Sequence, residues 1–293
     1  MNSELIIFIA NRVQRSIYLQ ILLTAARSIS DNETKMEKIK NFSAKKGKLE
    51  YFKGKVYEGE IQNKKPHGVG KMTYKDGRVR EGIWEDGKIL YEGQLNKRGQ
   101  PHGTGTWFYP HGTYEGGWQN GQKHGNGNAE WGYGSTSYKG GWKFNLPDGF
   151  GIYKYQNGDV YNGGFRAGKR HGNGLMTYAN GDTYDGQWEN GKKDGQGKLK
   201  YNNGDMYEGN FNNDKIHGNG TFVNAAGDTI QGEWKKGKKC GVFQKTFKVE
   251  VSEQVYYDQM KTPILPTLRL TSARMFAFLL LRTRDCADVV VKG

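Results

Sequence analysis

The sequence predicts an all-β fold: an elongated, single-layer antiparallel meander of tandem β-hairpins with short terminal helical or irregular extensions. Three observations predict it. Of 293 residues 44 are Gly, about twice the usual share, while Pro is scarce at 6. Between Gly54 and Gly241 lie 42 of those 44 glycines and all 7 tryptophans. Within that stretch a Tyr-x-Gly-x-aromatic pattern, with Leu95 at the last place of its first unit, recurs from Tyr91, Tyr114, Tyr138, Tyr161, Tyr184 and Tyr207 at spacings of 23, 24, 23, 23 and 23 residues, and a fixed period of this length marks a repeat architecture.

Residues 1–53 form an N-terminal extension. Its apolar runs, 5–10 and 17–26, are too short to span a membrane. With Arg12, Arg15 and Arg27 they suit an amphipathic targeting segment, a helix docked on the domain end, or a mis-extended start ahead of Met36. A Lys-rich linker follows.

Residues 54–241 form the repeat domain, about eight and a half units. Tyr57 and Arg80 extend the Tyr series toward the N-terminus and Ile230 extends it toward the C-terminus. From Arg80 to Tyr91 the spacing is only 11, so half a unit is missing, which should bend or offset the sheet. A second signature, His-Gly-x-Gly, follows each start at His67, His102, His124, His171 and His217, with Asp148 and Asp194 replacing His in two units. Tyr184, Gly186 and Trp188 alternate with Asp185 and Gln187, and Gly195, Gly197, Leu199 and Tyr201 alternate with Gln196, Lys198 and Lys200. A period of two is strand behaviour, and the Asn-Gly pairs between segments suit hairpin turns. The glycines share a face with the aromatics, as if vacating space for rings of neighbouring strands. About 17 strands at about 4.8 Å spacing would make a rod on the order of 80 Å long.

Residues 242–293 form a C-terminal cap and tail. Glu50–Lys53 and Phe243–Tyr257 are placed to cover the sheet ends, and Met275–Leu281 suits a capping or docking helix. Two cysteines, Cys240 and Cys286, read as free thiols and suggest a reducing compartment.

Units such as YDGQWENGKKDGQGKLKYNNGD at Tyr184–Asp205 resemble the MORN (membrane occupation and recognition nexus) repeat family, over roughly Val56–Gly241. The resemblance implies an elongated β-meander used for scaffolding and for protein or lipid contact, without catalysis by the repeats. Related chains occur in ciliary radial spokes, parasite cytoskeletons and junctional membrane tethers, and fused to lipid kinase or methyltransferase domains.

Candidate chemistry within the repeats is sparse. Five of the six histidines occupy one repeat position, about 10 Å apart in adjacent hairpins, too distant to share a metal. Gly-x4-Gly-Lys runs such as Gly186 to Lys192 lack the Ser/Thr and the helix of a phosphate-binding loop. Acids after the Tyr position, Glu58, Glu92, Glu115, Asp185 and Glu208, are periodic and solvated. No nucleophile, base and orienting acid converge from unique positions. No catalytic residue, cofactor or metal is therefore expected, and a lipid kinase activity would belong to a separate chain.

Binding is expected instead. Net charge is +14, which favours acidic partners. Lys64, Lys65, Lys97, Arg98, Lys123, Lys169, Arg170, Lys192, Lys193, Lys215, Lys235 and Lys236 fall in corresponding turns and should line one long edge, ready for acidic proteins or an anionic membrane surface. Tyr114, Trp118, Tyr138, Trp142, Tyr161, Tyr184 and Trp188 are expected as exposed aromatics of a protein-binding groove. Nucleic acid is not expected, because the aromatics are needed within the sheet. The expected function is a non-enzymatic structural scaffold, a cytoplasmic, cytoskeletal component of the ciliary or flagellar axoneme such as a radial spoke head, in a homo- or hetero-oligomer. The alternatives are a peripheral membrane tether binding anionic phospholipids and a regulatory module for a separate lipid kinase.

Overall fold

A computed structural model of the chain describes residues 45–248 and the backbone of residues 278–283. The chain divides into two compact units, Met1–Lys154 and Tyr155–Gly293. In the first, the strands run β1 (Lys45–Tyr51), β2 (Lys55–Gln62), β3 (Lys65–Thr73), β4 (Val79–Glu85), β5 (Lys88–Leu95), β6 (Pro101–Tyr109), β7 (Gly112–Gln119), β8 (Gln122–Trp131), β9 (Thr136–Lys143) and β10 (Leu146–Lys154). Each pairs antiparallel with its sequence neighbour. The second unit continues with β11 (Val160–Arg166), β12 (Lys169–Thr177), β13 (Thr183–Glu189), β14 (Lys192–Lys200), β15 (Met206–Asn212), β16 (Lys215–Val223), β17 (Thr229–Lys235), β18 (Lys238–Thr246) and β19 (Phe278–Thr283). Its ladder is again strictly sequential and antiparallel. No helix occurs among the described residues. The turns explain the hairpins: Asn120 and Gly121 take φ of 50° and 84°, and Asn190 and Gly191 take 51° and 85°, the double positive φ that matches strand twist.

The terminal expectations change in detail. The sheet begins at Lys45, inside the N-terminal extension, because β1 pairs along its whole length with β2. At the other end Phe243 belongs to β18, and the strand covering β18 is β19, from Phe278 to Thr283. A capping helix over Met275–Leu281 is therefore corrected: Phe278–Leu281 are extended, where they satisfy the open backbone edge of β18. Cys240 is disulfide-bonded, which corrects the free-thiol reading. β19, Phe278–Thr283, pairs with the strand that carries this cysteine, and Cys286 lies outside the described residues. Cysteine usage thus no longer argues for a reducing compartment. The targeting or docked-helix alternatives for residues 1–35 also lie outside the described residues.

One interlock recurs in both units. The hairpins built on Tyr57, Tyr114, Tyr161, Tyr184 and Tyr207 pair glycine with glycine, as Gly59 with Gly70 and Gly186 with Gly197. Tyr184 lies flat over such a pair, so that a Cβ on Gly197 would enter its ring. The register then slips by two residues, with Glu60 alone opposite His67, Gly68 and Val69, and Gln187 alone opposite Asp194, Gly195 and Gln196. A bulge interrupts the ladder locally, and the Tyr hydroxyl takes the carbonyl of the one residue of its own strand left unpaired there. Tyr57 donates to Glu60 O at 2.9 Å, Tyr114 to Gly117 O at 2.9 Å and Tyr184 to Gln187 O at 3.0 Å. Trp rings complete the layer by reaching back one hairpin. Trp84 Nε1 donates to Gly70 O at 3.0 Å and Trp188 Nε1 to Gly174 O at 2.9 Å. Tyr and Trp meet edge to face, as in Tyr184–Trp188 with centroids 5.1 Å apart, an arrangement worth about 0.5–1.5 kcal/mol beyond area burial.

The missing half unit does more than bend the sheet. It brings two strands of the Tyr type, β4 and β5, into direct pairing, with Ile83 opposite Tyr91, Gly82 opposite Glu92, and Leu90 bulged. Side chains alternate along a strand and cross-strand partners share a face. Tyr57, Met72 and Arg80 are partners, so they share a face with Trp84. Ile83 points to the opposite face and Tyr91 goes with it. The column Tyr91, Trp107, Tyr114, Ala129, Tyr138, Tyr153 therefore lies on the face opposite the Tyr57–Met72–Trp84 cluster. Side-chain contacts agree: Arg80 bonds Glu92 at 2.8 Å and sits 5.7 Å over Phe108. Losing one strand also exchanges edges, since turns alternate between the edges of a meander. The turn at Asn63–Lys64 lies on one edge, those at Asn96–Gly99 and Asn120–Gly121 on the other.

The interlock predicts unequal costs for two glycine replacements. Gly197→Ala should lower stability by about 1–3 kcal/mol through collision with Tyr184. Gly77→Ala, where φ is +83° and no atom lies within 4 Å, should lose only about 1 kcal/mol of backbone strain. Urea unfolding followed by Trp fluorescence compares them, and equal losses would remove the steric argument.

Candidate functional site

The aromatics expected in an open groove are interior. Tyr114, Tyr138, Tyr161 and Tyr184 are 0% exposed, Trp118 and Trp142 4%, and Trp188 2%. The expectation of exposed rings is corrected, because each Tyr lies on its glycine pair and each of these Trp indoles donates into the ladder. Their replacement by Ala would test packing before it tested binding.

The basic turns divide in two. Lys64, Lys65, Lys97, Arg98, Lys192, Lys215, Lys235 and Lys236 are exposed, and Lys169 is half-buried. Lys123, Arg170 and Lys193 turn inward, which corrects their assignment to an exposed edge. Lys123 Nζ sits among four rings, 4.9 Å from Tyr114 and Trp142, 5.2 Å from Tyr109 and 5.9 Å from Trp131. Arg170 covers Trp188 at 4.2 Å and donates to Gly191 O at 2.6 Å. Lys193 lies 5.2 Å over Tyr178 and 5.0 Å over Tyr184. Lys239 half-covers Trp234 at 5.8 Å. These cations lid the aromatic layer. A signal for this was present: the residue before His-Gly or Asp-Gly is Pro66, Pro101, Pro147 or Ile216 in the other units, residues that belong against apolar rings.

The single-edge arrangement is corrected as well. Lys64 and Lys65 lie at the edge opposite Lys97, Arg98 and the turn before Lys123, because of the β4–β5 inversion. Within the second unit Lys169, Lys192, Lys235 and Lys236 do share one edge, at the turns joining β11–β12, β13–β14 and β17–β18. The other edge of that unit carries an Asp ladder. Asp159 Oδ1 accepts from Ala179 N, Asp182 from Asn202 N and Asp205 from Ala225 N, at 2.8–2.9 Å. Each carboxylate ties its turn to the next, so the acids are occupied by the fold.

The histidines are likewise placed by the fold. His67 is 8% exposed, His171 Nδ1 lies 3.1 Å from Glu189, and His217 Nδ1 accepts from Lys236 N at 3.5 Å. Among the described residues no group of three or more His, Cys, Asp or Glu converges on a metal position. The acids after Tyr face outward, and Glu208 pairs with Lys198 at 2.8 Å.

Burial raises the hydroxyls of Tyr91 and Tyr207 from 10 to about 12, and shifts Tyr57, Tyr114, Tyr138, Tyr161 and Tyr184 the same way. A raised folded value means stability that is complete below the unfolded value and lost as pH climbs through the folded one. The protein should therefore unfold cooperatively above about pH 10, with tyrosinate absorbance and loss of β circular dichroism rising together. Lys123 has the opposite sign. Burial pushes its ammonium from 10.5 down to about 7, against the pull of the four ring faces. A lowered folded value on a base costs stability below it, so stability should grow from pH 7 to pH 9.5. Burial holds Lys193 down as well, at about 8, so Lys123→Met, similar in volume and uncharged, should lessen that rise without abolishing it in melting experiments at the two pH values.

Comparison with known proteins adds the family. The model of the MORN repeat matches residues 57–77, 91–113, 114–135, 138–160, 161–183, 184–206, 207–229 and 231–242. No curated protein matches. Among solved structures, the SAS-4 TCP domain of Drosophila melanogaster, in complex with a proline-rich motif of Ana2, is 11% identical over 64% of this chain and 90% of that one, with a TM-score of 0.30. A streptogramin B lyase is 12% identical over 70% and 76%, with a TM-score of 0.13. The virginiamycin B lyase of Staphylococcus aureus gives 12%, 70%, 67% and 0.12. Such low scores carry no argument about this chain. The matched stretches exceed half of its length, follow the hairpins strand by strand, and skip the inverted junction between residues 77 and 91. The chain belongs to the MORN repeat family, whose repeats suggest a scaffold or a module for protein or lipid contact.

Proposed function

We propose that the chain is a non-enzymatic structural scaffold of the ciliary or flagellar axoneme, in the manner of a radial spoke head component. The observation that carries the scaffold reading is the consumption of reactive side chains by the repeat itself. Tyr hydroxyls cap bulges, Trp indoles bond ladder carbonyls, and Asp carboxylates tie turns. What remains for other molecules is a polar outer face and exposed Lys turns. Placement in the axoneme, and with it an assembly of several proteins in the cytoskeleton, rests on membership of the MORN repeat family, whose related chains occur in ciliary radial spokes.

A second reading, a peripheral tether on anionic membrane, is favoured by the shared edge of Lys169, Lys192, Lys235 and Lys236. Regulation of a separate lipid kinase would use the same surface. One experiment separates the readings. The full chain, and a second version starting at Met36, are tagged in ciliated cells, and axonemes are extracted with detergent. Retention of both on demembranated axonemes is the expected result. Release by detergent, together with salt-sensitive flotation on phosphatidylserine vesicles, would transfer the assignment to the tether.

A further inference from the structure

On β10 the outward side chains depart from the chemistry of their own repeat. The two outward positions after His-Gly hold Thr104 and Thr106 on β6, and Asn126 and Asn128 on β8. On β10 they hold Phe150 and Ile152, which are 68% and 39% exposed. Gly151 between them is buried under the Tyr138 ring, so alternation sets both on the polar face. Gly141 of β9, opposite the bulge of β10, has no side chain to cover Phe150, and Lys139 stands opposite Ile152. A large apolar side chain left in water forgoes the favourable burial that docking would supply.

The surroundings define the ligand. Lys139 and Lys143 on β9 and Lys154 on β10 follow the same outward alternation and are exposed. Across the two strands the rows on this face read Lys139 with Ile152 and Ser137 with Lys154. The backbone carbonyl of Asp148, the acid of the Asp-Gly signature, lies over Gly141, and its carboxylate acts on the inward Tyr138 hydroxyl. The patch is thus two apolar anchors framed by three ammonium groups. Phe150 and Ile152 lie two residues apart on one strand, roughly 6.6 Å, the spacing of alternate side chains in an extended peptide.

We propose that this surface docks an extended acidic segment of a partner protein, with alternate apolar side chains on Phe150 and Ile152 and intervening carboxylates reaching Lys139, Lys143 and Lys154. The inference rests on the scaffold reading and names the kind of partner that one face of the scaffold takes. It differs from the inward aromatic layer, which the fold itself fills, and from the Lys turns at the sheet edges.

The test uses the full chain and a short fluorescein-labelled peptide alternating leucine and glutamate, read by fluorescence anisotropy. A peptide with lysine for glutamate is the control. Binding of the acidic peptide alone is expected, weakening with salt. The variant carrying Phe150→Thr and Ile152→Thr takes the residues found at these positions on β6, so it should keep the wild-type melting temperature and lose at least about tenfold in affinity. Lys139→Glu with Lys154→Glu should lose affinity and salt dependence together. Equal binding of both peptides, no binding by the wild type, or unchanged affinity in the Thr variant would overturn the proposal. A Thr variant that instead abolished self-association would give the patch to a second copy, and one that abolished flotation on anionic vesicles would give it to a membrane, each overturning it. Axonemal retention without peptide binding would defeat this inference and leave the scaffold reading standing.

Discussion

The interior of this protein depends on a tyrosine ring lying flat on a pair of glycines. A sheet without a second layer has no opposing surface against which to bury apolar groups, so burial must come from side chains laid along the sheet itself. That posture is open only where the strands beneath carry no Cβ. Gly59 with Gly70, or Gly186 with Gly197, provides the bed, and the bulge beside it provides the carbonyl that satisfies the buried hydroxyl. The bulge and the ring require each other: without the slip the carbonyl would be spent in the ladder, and without the ring it would be left unpaired. Where the aromatic is Trp, at Trp84, Trp118, Trp142, Trp188 and Trp234, the indole links its hairpin to the one before, so that stability accrues between neighbours.

A layer so thin leaves the upper surface of its rings to be covered, and the residue preceding each His-Gly or Asp-Gly does it. Proline and isoleucine do so by apolar contact. Lys123, Arg170 and Lys193 do so by placing a cation on the negative face of the ring. These cations contribute to the net charge of the chain without presenting it to partners. Net charge read from composition therefore overstates the basic surface available for contact.

The junction of β4 and β5 is the other constraint. A meander alternates direction with every strand, so an odd deletion cannot shift a repeat along the sheet. It reverses the repeat's direction, and a repeat with two distinct faces must then turn over. The first unit accordingly has aromatic interiors on both sides of one sheet, joined through Ile83 and Tyr91. Arg80, which stands at the Tyr position of its unit, is on the polar face of the strands that follow and is held there by Glu92.

Much of this was legible in the residues alone. Period-two alternation, Asn-Gly turns and the 23-residue spacing determine the hairpins, their order and the use of glycine as a bed for rings, because these follow from local backbone chemistry and chain connectivity. The spacing of 11 between Arg80 and Tyr91 marked the defect. Its outcome, an exchange of faces and edges, is set by cross-strand pairing. Alternation tells which residues share a face and not which face meets solvent, so the tyrosines read as a groove although they are the core. Turn position likewise cannot tell a lysine that stays in water from one drawn over four rings, since the difference lies in side chains from strands far apart in sequence. The return of Phe278–Thr283 onto β18 has the same origin, for an open edge will pair with any strand the chain can bring to it. The sequence by itself determined the repeating element and its interlock. Tertiary pairing decided orientation, exposure and which charges were left free, because those depend on neighbours that no local pattern names.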